Sequence, residues 1–316
     1  MTDKLGIVLL AMGGPETTRD IPEYLYNIFS DRSIIRLPGG PLVQKPLARL
    51  ISRMRSRKVA EHYDLIGGSS PLYRWTRAQA DLIEQRFDAG RTVRCYAGMR
   101  YFRPTIPAVI DAALGDGCTE LCFLPMYPQY SSATTGSSFT VAKKSLQRHS
   151  TVAAHYVNDF HDTDGYISFL ASYIERHIRA DELLLFSAHS LPQKFVDEGD
   201  PYVDQVKRTA QLAAGNREYV VTFQSRTGPV DWVGPDTIDE AKRLLDDPAR
   251  RLFIVPIAFV CDHIETLYEL DIELPQLLGD DKGGRIRRMP MFNDDPQFAE
   301  VLIDVVRRKL EATHEV

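Results

Sequence analysis

The sequence contains two polar segments that could perform chemistry, and each directly follows an apolar run. Segment 187–192, SAHSLP, places His189 after the run Leu183–Phe186. Segment 262–273, DHIETLYELDIE, follows the run Leu252–Val260. A histidine moves protons near neutral pH, and carboxylates bind hard or borderline cations. Because parallel strands bring their carboxyl ends to one edge of a sheet, the two segments predict a site for protons and a cation.

An acidic stripe in the second segment consists of Glu265, Glu269 and Glu273, spaced at i, i+4 and i+8. In an α-helix this spacing puts the carboxylates along one face, where like charges cost helix stability. Most charge runs are simply solvated helix faces, and a lone strand-end histidine is more often satisfied structurally than catalytic. Against the simpler interpretation, the stripe follows an apolar strand and has Leu267 and Leu270 on its other side.

The sequence lacks the motifs of several other enzyme classes. Gly13 and Gly14 follow the first predicted strand, but the pattern is not GxGxxG and Pro15 interrupts the helix start, which disfavours a dinucleotide site. The pair more simply lets the backbone approach a flat ligand. Ser187 and Ser190 suggest a hydrolase, but GxSxG is missing from the sequence. The sequence HIE is not the HExxH of zinc proteases.

Composition and charge disfavour several broad classes. Hydrophobic residues make up 44% of the chain and charged residues 26%, ordinary values for a globular protein. The net charge of −5 gives no basic footprint for nucleic acid, and no stretch approaches the ~20 apolar residues of a membrane span. The N-terminus has no signal-peptide pattern. The four cysteines form no CxxC, which disfavours a zinc or iron–sulfur framework and indicates a reduced cytosolic setting.

Strand-like runs alternate with helical patterns along the chain. The predicted strands are Gly6–Met12, Thr92–Met99, Glu120–Tyr127, Val152–Val157, Leu183–Ala188, Tyr219–Gln224, Leu252–Val260 and Ile286–Phe292. The predicted helices are Thr76–Phe87, Ile106–Leu114, Tyr166–Ile178, Val203–Ala213 and Thr237–Leu245. Near-continuous apolar strands alternating with helices favour parallel sheets covered on both faces. The eight strands divide as four plus four, which predicts an α/β protein with two similar halves.

The predicted halves differ in one long insertion. Their boundary falls near 159–165, giving an N-terminal lobe of residues 1–160 and a C-terminal lobe of residues 161–316. The first lobe holds an insertion, about 13–91, whose length indicates a functional role. The closing helix, predicted over Pro296–Leu310, is expected to pack on the N-terminal lobe.

These motifs together resemble the ferrochelatase family, enzymes that insert ferrous iron into a porphyrin in haem biosynthesis. The resemblance covers essentially the whole chain, and SAHSLP and DHIETLYELDIE are its most specific parts. The segments that carry it are 10–16, 67–71, 126–138, 187–192, 222–226 and 262–273. It implies two Rossmann-like lobes, each with a four-stranded parallel sheet flanked by helices, and a cleft between them.

The resemblance also implies roles for individual residues. His189 corresponds to the family's catalytic histidine and Glu265 to the facing glutamate, both iron ligands or proton acceptors. The residues expected to relay protons or metal are Asp262, His263, Glu269 and Glu273. At an α-helical rise, Glu269 and Glu273 would lie about 6 and 12 Å beyond Glu265, too far to share one ion. The residues expected to bind porphyrin are Met12, Arg55, Tyr63, Ser70, Arg100, Tyr101 and Trp232.

The implied reaction is insertion of Fe²⁺ into protoporphyrin IX to give protohaem, the final step of haem biosynthesis. Met12 favours this substrate, because relatives that act on coproporphyrin tend to carry Tyr there. Three alternatives stay open: coproporphyrin III as the substrate, another divalent-metal tetrapyrrole chelatase, and a haem carrier or sensor on the same fold.

Cofactor, partners and location are further expectations from the resemblance. Iron is substrate, no cofactor is tightly bound, and no [2Fe–2S] cluster is expected because the cysteine-bearing tail of some relatives is missing. The insertion corresponds to a lip over the cleft. Its apolar residues, expected to contact porphyrin or a membrane surface, are Leu25, Ile28, Phe29, Ile34 and Ile35. The protein is expected in the cytoplasm, with peripheral contact at the inner membrane face.

Overall fold

The computed structural model describes residues 4–88, 90–149, 151–226, 228 and 230–314. These residues form two compact units. The first comprises the described residues up to Tyr127, together with Ser131–Asn158 and those from Asn293 onward. The second comprises Pro128–Tyr130 and Asp159–Phe292.

The first unit is built on a four-stranded parallel sheet of order β2-β1-β3-β4. The strands are β1 (Lys4–Ala11), β2 (Thr92–Met99), β3 (Glu120–Pro125) and β4 (Ala153–Tyr156). The helices are α1 (Ile21–Ser30), α2 (Pro41–Leu65), α3 (Leu72–Arg86), α4 (Ile106–Gly115) and α5 (Ser137–Leu146), with a 3₁₀ turn at Thr18–Asp20 and a π-helical turn at Ser132–Gly136. β1 and β3 are buried almost throughout, as expected for central parallel strands.

The second unit repeats this plan, with strand order β6-β5-β7-β8, again all parallel. The strands are β5 (Glu182–His189), β6 (Tyr219–Gln224), β7 (Arg251–Pro256) and β8 (Ile286–Arg288). The α-helices are α6 (Asp164–His177), α7 (Gln193–Asp197), α8 (Tyr202–Ala214), α9 (Thr237–Leu244) and α10 (Leu274–Gly283). A π-helical segment, Glu265–Glu273, runs directly into α10. The chain closes with α11 (Pro296–His314), which belongs to the first unit.

The predicted fold class, two four-stranded parallel sheets flanked by helices, is confirmed. Two strands are shorter than the apolar runs predicted. β7 ends at Pro256 rather than Val260, and β8 ends at Arg288 rather than Phe292. The residues beyond these ends, such as Val260 and Met291, are still buried. The apolar runs therefore indicated which residues are buried rather than where the strands end. Loops that pack over a sheet are buried as well as its strands.

The long insertion has two parts with different packing. α3 packs on β1, β2 and α11, so it is the crossover helix between the first two strands. α1 and α2 instead pack on each other. Of the five apolar residues highlighted in the insertion, Leu25 and Phe29 are buried and the other three are half-buried.

Candidate active site

His189 is the last residue of β5 and pairs with Gln224 at the end of β6. It therefore lies at the carboxyl edge of the sheet, where α/β proteins hold their ligands. The Tyr202 hydroxyl donates to the His189 carbonyl oxygen at 3.0 Å, which fixes the backbone there. The sequence pattern of a polar residue after an apolar run thus placed His189 correctly at the carboxyl end of its strand.

A buried hydroxyl network supports this strand end. Ser187 Oγ donates to Gln224 Oε1 at 2.6 Å and lies 2.8 Å from Thr237 Oγ1, which donates to Thr222 Oγ1 at 2.9 Å. Ser190 Oγ donates to the Val233 carbonyl at 2.9 Å. Both serines are fully buried with their hydroxyls engaged, so neither is presented as a nucleophile. The structure agrees with the missing GxSxG motif.

His189 and Glu265 form a close pair. His189 Nδ1 lies 2.9 Å from Glu265 Oε2, with the imidazole 43% exposed and the carboxylate 15% exposed. Burial lowers the pKa of His189, but the charge and hydrogen bond of Glu265 outweigh it and raise the pKa to about 8. Burial likewise raises the pKa of Glu265, and the His189 charge more than reverses this, so it ends well below the usual range. At pH 7 the pair is therefore an imidazolium and a carboxylate.

The segment that carries Glu265 is π-helical rather than α-helical. Its i→i+5 bonding spans Glu265–Glu273, so the α-helical spacing predicted for the acidic stripe is wrong in detail. π turns are rare and occur frequently at functional sites. Leu270 anchors the segment in the core of the second unit, beside residues of β5, β7 and α9.

Ser225 joins the first two glutamates of the stripe. Its hydroxyl lies 3.1 Å from Glu265 Oε2 and also makes a short hydrogen bond with Glu269. Ser225 has φ +67°, an unusual conformation for a residue other than glycine and one that often marks a functional site. Ser225 has no predicted role, because a strained backbone has no signature in a single sequence.

Glu269 holds its proton more tightly than Glu265. Burial raises the pKa of Glu269, and the neighbouring Glu265 charge raises it further. Two carboxylates that share one hydroxyl cannot both ionise easily, so the proton resides on Glu269. The site at rest therefore combines protonated His189, ionised Glu265 and neutral Glu269.

The remaining residues of the expected relay have separate surroundings. Asp262 accepts a hydrogen bond from Thr266 Oγ1 at 3.0 Å and an ion pair from Arg288 at 3.1 Å. His263 Nε2 lies 3.9 Å from Glu265 Oε1, and burial lowers the pKa of His263. Glu273, at the last position of the π-helical segment, hydrogen-bonds to Tyr268. His263 and Glu269 thus adjoin Glu265, whereas Asp262 is held by Arg288.

Trp232 lies in a loop that pairs with the chain following His189. Val233 N donates to the Leu191 carbonyl at 3.0 Å, and Gln193 N donates to the Asp231 carbonyl at 2.8 Å. This short antiparallel pairing brings the half-buried Trp232 beside Pro192. The structure therefore places the predicted stacking residue near the strand end that carries His189.

In the first unit, several residues predicted to bind porphyrin converge at the carboxyl end of β1. Tyr101 N donates to the Met12 carbonyl at 2.9 Å, and Ser70 N donates to the Pro15 carbonyl at 2.8 Å. Gly14 must lack a side chain, because a Cβ there would lie 2.4 Å from Ser70 Oγ. Gly14 thus permits a close approach between protein segments, and the ligand contact expected of the glycine pair stays a prediction.

Arg100 and Tyr101 are bound to a residue that sequence analysis missed. Arg100 forms an ion pair with Asp31, and the Tyr101 hydroxyl donates to Asp31 Oδ2 at 2.6 Å. Arg100 Nε also donates to Ser137 Oγ at 2.8 Å. Burial raises the pKa of Asp31, but hydrogen bonds from Ser33 and Tyr101 and the Arg100 charge bring it below its usual value. Asp31 thus joins the insertion to the end of β2.

Two other predicted porphyrin-binding residues differ in exposure. Tyr63 is only 2% exposed, whereas Arg55 on α2 is exposed, with its guanidinium 5.6 Å from the centre of the Phe29 ring. Arg55 is therefore available to an anionic group. Tyr63 is part of the packed interior.

The fold and the site together define a chelatase-type α/β protein, with two sheets of the same order and a strand-end histidine beside a carboxylate. Solved chelatases share the fold. SirB from Bacillus subtilis with Fe³⁺ matches at a TM-score of 0.61 and 12% identity, covering 99% of this chain and 98% of SirB. The sirohydrochlorin chelatase SirB from Bacillus subtilis subspecies spizizenii, in complex with cobalt, matches at 0.56 over 98% of this chain and 96% of that chain, also at 12% identity.

The sequence matches the ferrochelatase family over residues 4–310. The ferrochelatase of Geobacter metallireducens is 41% identical, covering 98% of this chain and 99% of the relative. That of Aquifex aeolicus is 36% identical, covering 97% of this chain and all of the relative. The chain belongs to the ferrochelatase family. It is therefore an enzyme of the lyase class, a tetrapyrrole metal chelatase of haem biosynthesis.

Proposed function

We propose that this enzyme inserts Fe²⁺ into protoporphyrin IX and releases protohaem. The observation that carries the proposal is the 2.9 Å pair of His189 and Glu265, joined to Glu269 through Ser225. One imidazole and one ionised carboxylate are a ligand set that binds Fe²⁺ without trapping it. Glu269, His263 and Glu273 lie along the same segment and would relay protons or metal, with Asp262 holding its start.

The reaction needs a proton acceptor, because two pyrrole N–H protons leave as the metal enters the ring. His189 is protonated at rest, so it must lose that proton before it accepts one. A cation bound at Glu265 would drive this loss, since a nearby positive charge disfavours the imidazolium. Metal arrival and activation of His189 are thereby coupled. Iron acts as substrate throughout, and no tightly bound cofactor takes part.

The proposed porphyrin contacts are Met12, Arg55, Tyr63, Ser70, Arg100, Tyr101 and Trp232. The half-buried Trp232 offers an aromatic face, and the exposed Arg55 offers a cation for a propionate group. The insertion, about 13–91, would serve as a lip beside the porphyrin. Met12 at the end of β1 supports protoporphyrin IX over coproporphyrin III.

The test is anaerobic Fe²⁺ insertion followed optically, with protoporphyrin IX and coproporphyrin III side by side. We expect turnover when Fe²⁺ and a porphyrin are both present, and a higher kcat/KM for protoporphyrin IX than for coproporphyrin III. A higher kcat/KM for coproporphyrin III would overturn the substrate assignment. Faster insertion of Co²⁺ or Ni²⁺ would indicate a different metal chelatase. Tight haem binding without turnover would indicate a carrier.

We also propose that α2 contacts an anionic membrane surface from the cytoplasmic side. Leu42, Leu50 and Met54 are 93%, 55% and 74% exposed on this helix. Leu50 and Met54 share one face, and an exposed row of basic residues adjoins it. The row comprises Arg49, Arg53 and Arg57. Exposed apolar residues beside basic ones are the pattern of a helix lying on anionic lipid. No described helix is long and apolar enough to cross a membrane.

Co-sedimentation with phosphatidylglycerol-containing vesicles tests this contact. We expect binding at low salt that weakens at high salt and is reduced in the variant Leu50→Ser/Met54→Ser. Leu277→Ser, at a 51% exposed position on α10, is the matched control and should bind like the natural chain. Equal binding to neutral phosphatidylcholine vesicles, or none to either, would contradict the proposal.

A further inference from the structure

Arg288, at the end of β8, binds two carboxylates, one before Glu265 and one after Glu269. Its Nη2 lies 3.1 Å from Asp262 Oδ1. Its Nε and Nη2 donate to the two oxygens of Asp271 at 2.8 and 2.7 Å. The side chain is only 10% exposed, and Nη1 donates to the Met289 carbonyl at 3.0 Å. A planar guanidinium is suited to such bidentate pairing, so Arg288 holds both carboxylates rigidly.

The two carboxylates lie on either side of the residues that carry the chemistry. Asp262 precedes Glu265 by three residues, and Asp271 follows Glu269 by two. Asp262 also accepts from Thr266 Oγ1, which itself accepts from His263 N at 3.0 Å. The Arg288 guanidinium therefore fixes the chain before Glu265 and after Glu269.

The segment between them needs such support. Extended π-helical bonding is rare, and the close Glu265 and Glu269 side chains oppose each other when charged. If the segment relaxed toward α-helical bonding, Glu269 would rotate relative to Glu265 and their shared contact with Ser225 would be lost. We propose that Arg288 is a positioning residue, which maintains the π-helical geometry and thereby sets the spacing of Glu265 and Glu269.

The chain provides a matched control in the preceding residue. Arg287 points to the other face of β8, as successive strand residues do. It makes an equally bidentate pair with Glu182, at 2.7 and 2.9 Å, and donates to the His177 carbonyl at 2.8 Å. Glu182 begins β5, whereas His189 ends it. Weakening the contacts of Arg287 therefore perturbs β8 and the start of β5 without changing a contact of the segment Glu265–Glu273.

The experiment compares Arg288→Lys with Arg287→Lys. Each substitution keeps the positive charge and loses the planar guanidinium that makes the bidentate pair. Steady-state kinetics with Fe²⁺ and with Zn²⁺ would be combined with porphyrin affinity from fluorescence quenching. We expect Arg288→Lys to lower kcat/KM for the metal about 10- to 100-fold, as supporting residues around metal ligands do, with porphyrin affinity unchanged. Arg287→Lys should retain metal kcat/KM even where it lowers thermal stability.

Amide hydrogen exchange supplies a readout that does not depend on turnover. Exchange within 265–273 should accelerate in Arg288→Lys and not in Arg287→Lys. Asp271→Asn, which changes the more exposed of the two carboxylates, should reproduce both effects if Arg288→Lys does not fold. Unchanged exchange and metal kinetics in the Arg288 and Asp271 variants, or equal effects in the Arg287 control, would overturn the inference.

This inference depends on the proposed function only for its kinetic measurements. If the natural chain inserts no metal into any porphyrin, the proposed function fails. The exchange comparison then decides the role of Arg288 alone.

Discussion

At the scale of single residues, the charge state of His189 governs what the site can do. Glu265 raises the pKa of His189 to about 8, so the imidazole carries a proton at pH 7. The proton that Glu265 gives up is in effect held by His189, while Glu269 keeps its own. In the proposed reaction, a cation that displaces the His189 proton would convert this resting state into one that accepts pyrrole protons.

The raised pKa of His189 predicts a specific pH dependence. In the proposed reaction the neutral imidazole is the active form, so kcat/KM should rise with pH through about 8 rather than near 6.5. In the metal-free protein, Glu265→Gln should lower the titration midpoint of His189. The carboxylate charge that raises the pKa is then gone, and burial, which lowers the pKa, is left. NMR titration of the imidazole measures this. Glu273→Gln is the control and should leave the midpoint in place, and an unshifted midpoint in Glu265→Gln would contradict the assignment.

Removal of the His189 imidazole should lower kcat strongly and leave porphyrin binding intact. We expect His189→Ala to lose about 10²- to 10⁴-fold in kcat, the range typical of a general base. Stopped-flow insertion assays and fluorescence quenching measure the two properties. His177→Ala, at the end of α6, is the control and should turn over normally. Near-normal kcat in His189→Ala would sink the role proposed for this residue.

The three glutamates of the stripe should differ in severity. Glu265→Gln removes the ionised partner of His189 and should be severe. Glu269 is protonated at rest, so Glu269→Gln nearly preserves its shape and polarity and should chiefly raise the KM for the metal. Glu273→Gln, further along the segment, should be mildest. Equal and severe kcat losses in all three, with an unchanged metal KM, would refute this order.

At the scale of elements, close packing after β1 makes Gly14 sensitive to substitution. A Cβ at Gly14 would lie 2.4 Å from Ser70 Oγ and 2.5 Å from Ser70 Cβ, so one segment must shift. We expect Gly14→Ala to destabilise the protein by about 1–3 kcal/mol, the range for overpacking. Chemical denaturation measures the change in the free energy of unfolding.

Two variants test whether this loss is caused by the contact. Gly14→Ala/Ser70→Gly removes the clashing atoms and should recover much of the stability. Gly115→Ala, at the end of α4, meets no atom within 4 Å and should be neutral or slightly stabilising. A loss in the double variant as large as in Gly14→Ala would mean that the Ser70 contact is not the cause.

At the scale of the whole molecule, the two units share one topology but carry different residues at their strand ends. β1 and β5 occupy the same place in strand order β2-β1-β3-β4 and β6-β5-β7-β8. The end of β5 carries His189 with its acidic partners, whereas β1 leads into Met12 and two glycines. The same sheet order thus presents a histidine–carboxylate pair in one unit and a compact, glycine-dependent turn in the other.

The purified protein should lack an iron–sulfur cluster. All four cysteines are buried free thiols, and burial raises the pKa of each, that of Cys122 to about 12. Thiol reagents should therefore react slowly until the protein unfolds. Acid-labile sulfide analysis and visible spectroscopy measure the cluster directly. Stoichiometric sulfide with a charge-transfer spectrum would prove the expectation wrong.

The sequence by itself determined the two sheets and the pair of residues at the centre of the candidate site. Buried parallel strands need near-continuous apolar runs, and this local requirement revealed all eight strands and their division into two sheets. His189 and Glu265 were identifiable because each belongs to a specific motif after a strand.

Only the tertiary structure decided how those residues are held. The π-helical bonding of Glu265–Glu273, the bridging Ser225, and the ion pairs of Asp31 and Arg288 all depend on partners distant in the chain. Such polar contacts leave no periodic pattern in sequence, since a single side chain forms each one. The raised pKa of His189 has the same origin, because its value is set by a carboxylate 76 residues away that folding brings to 2.9 Å.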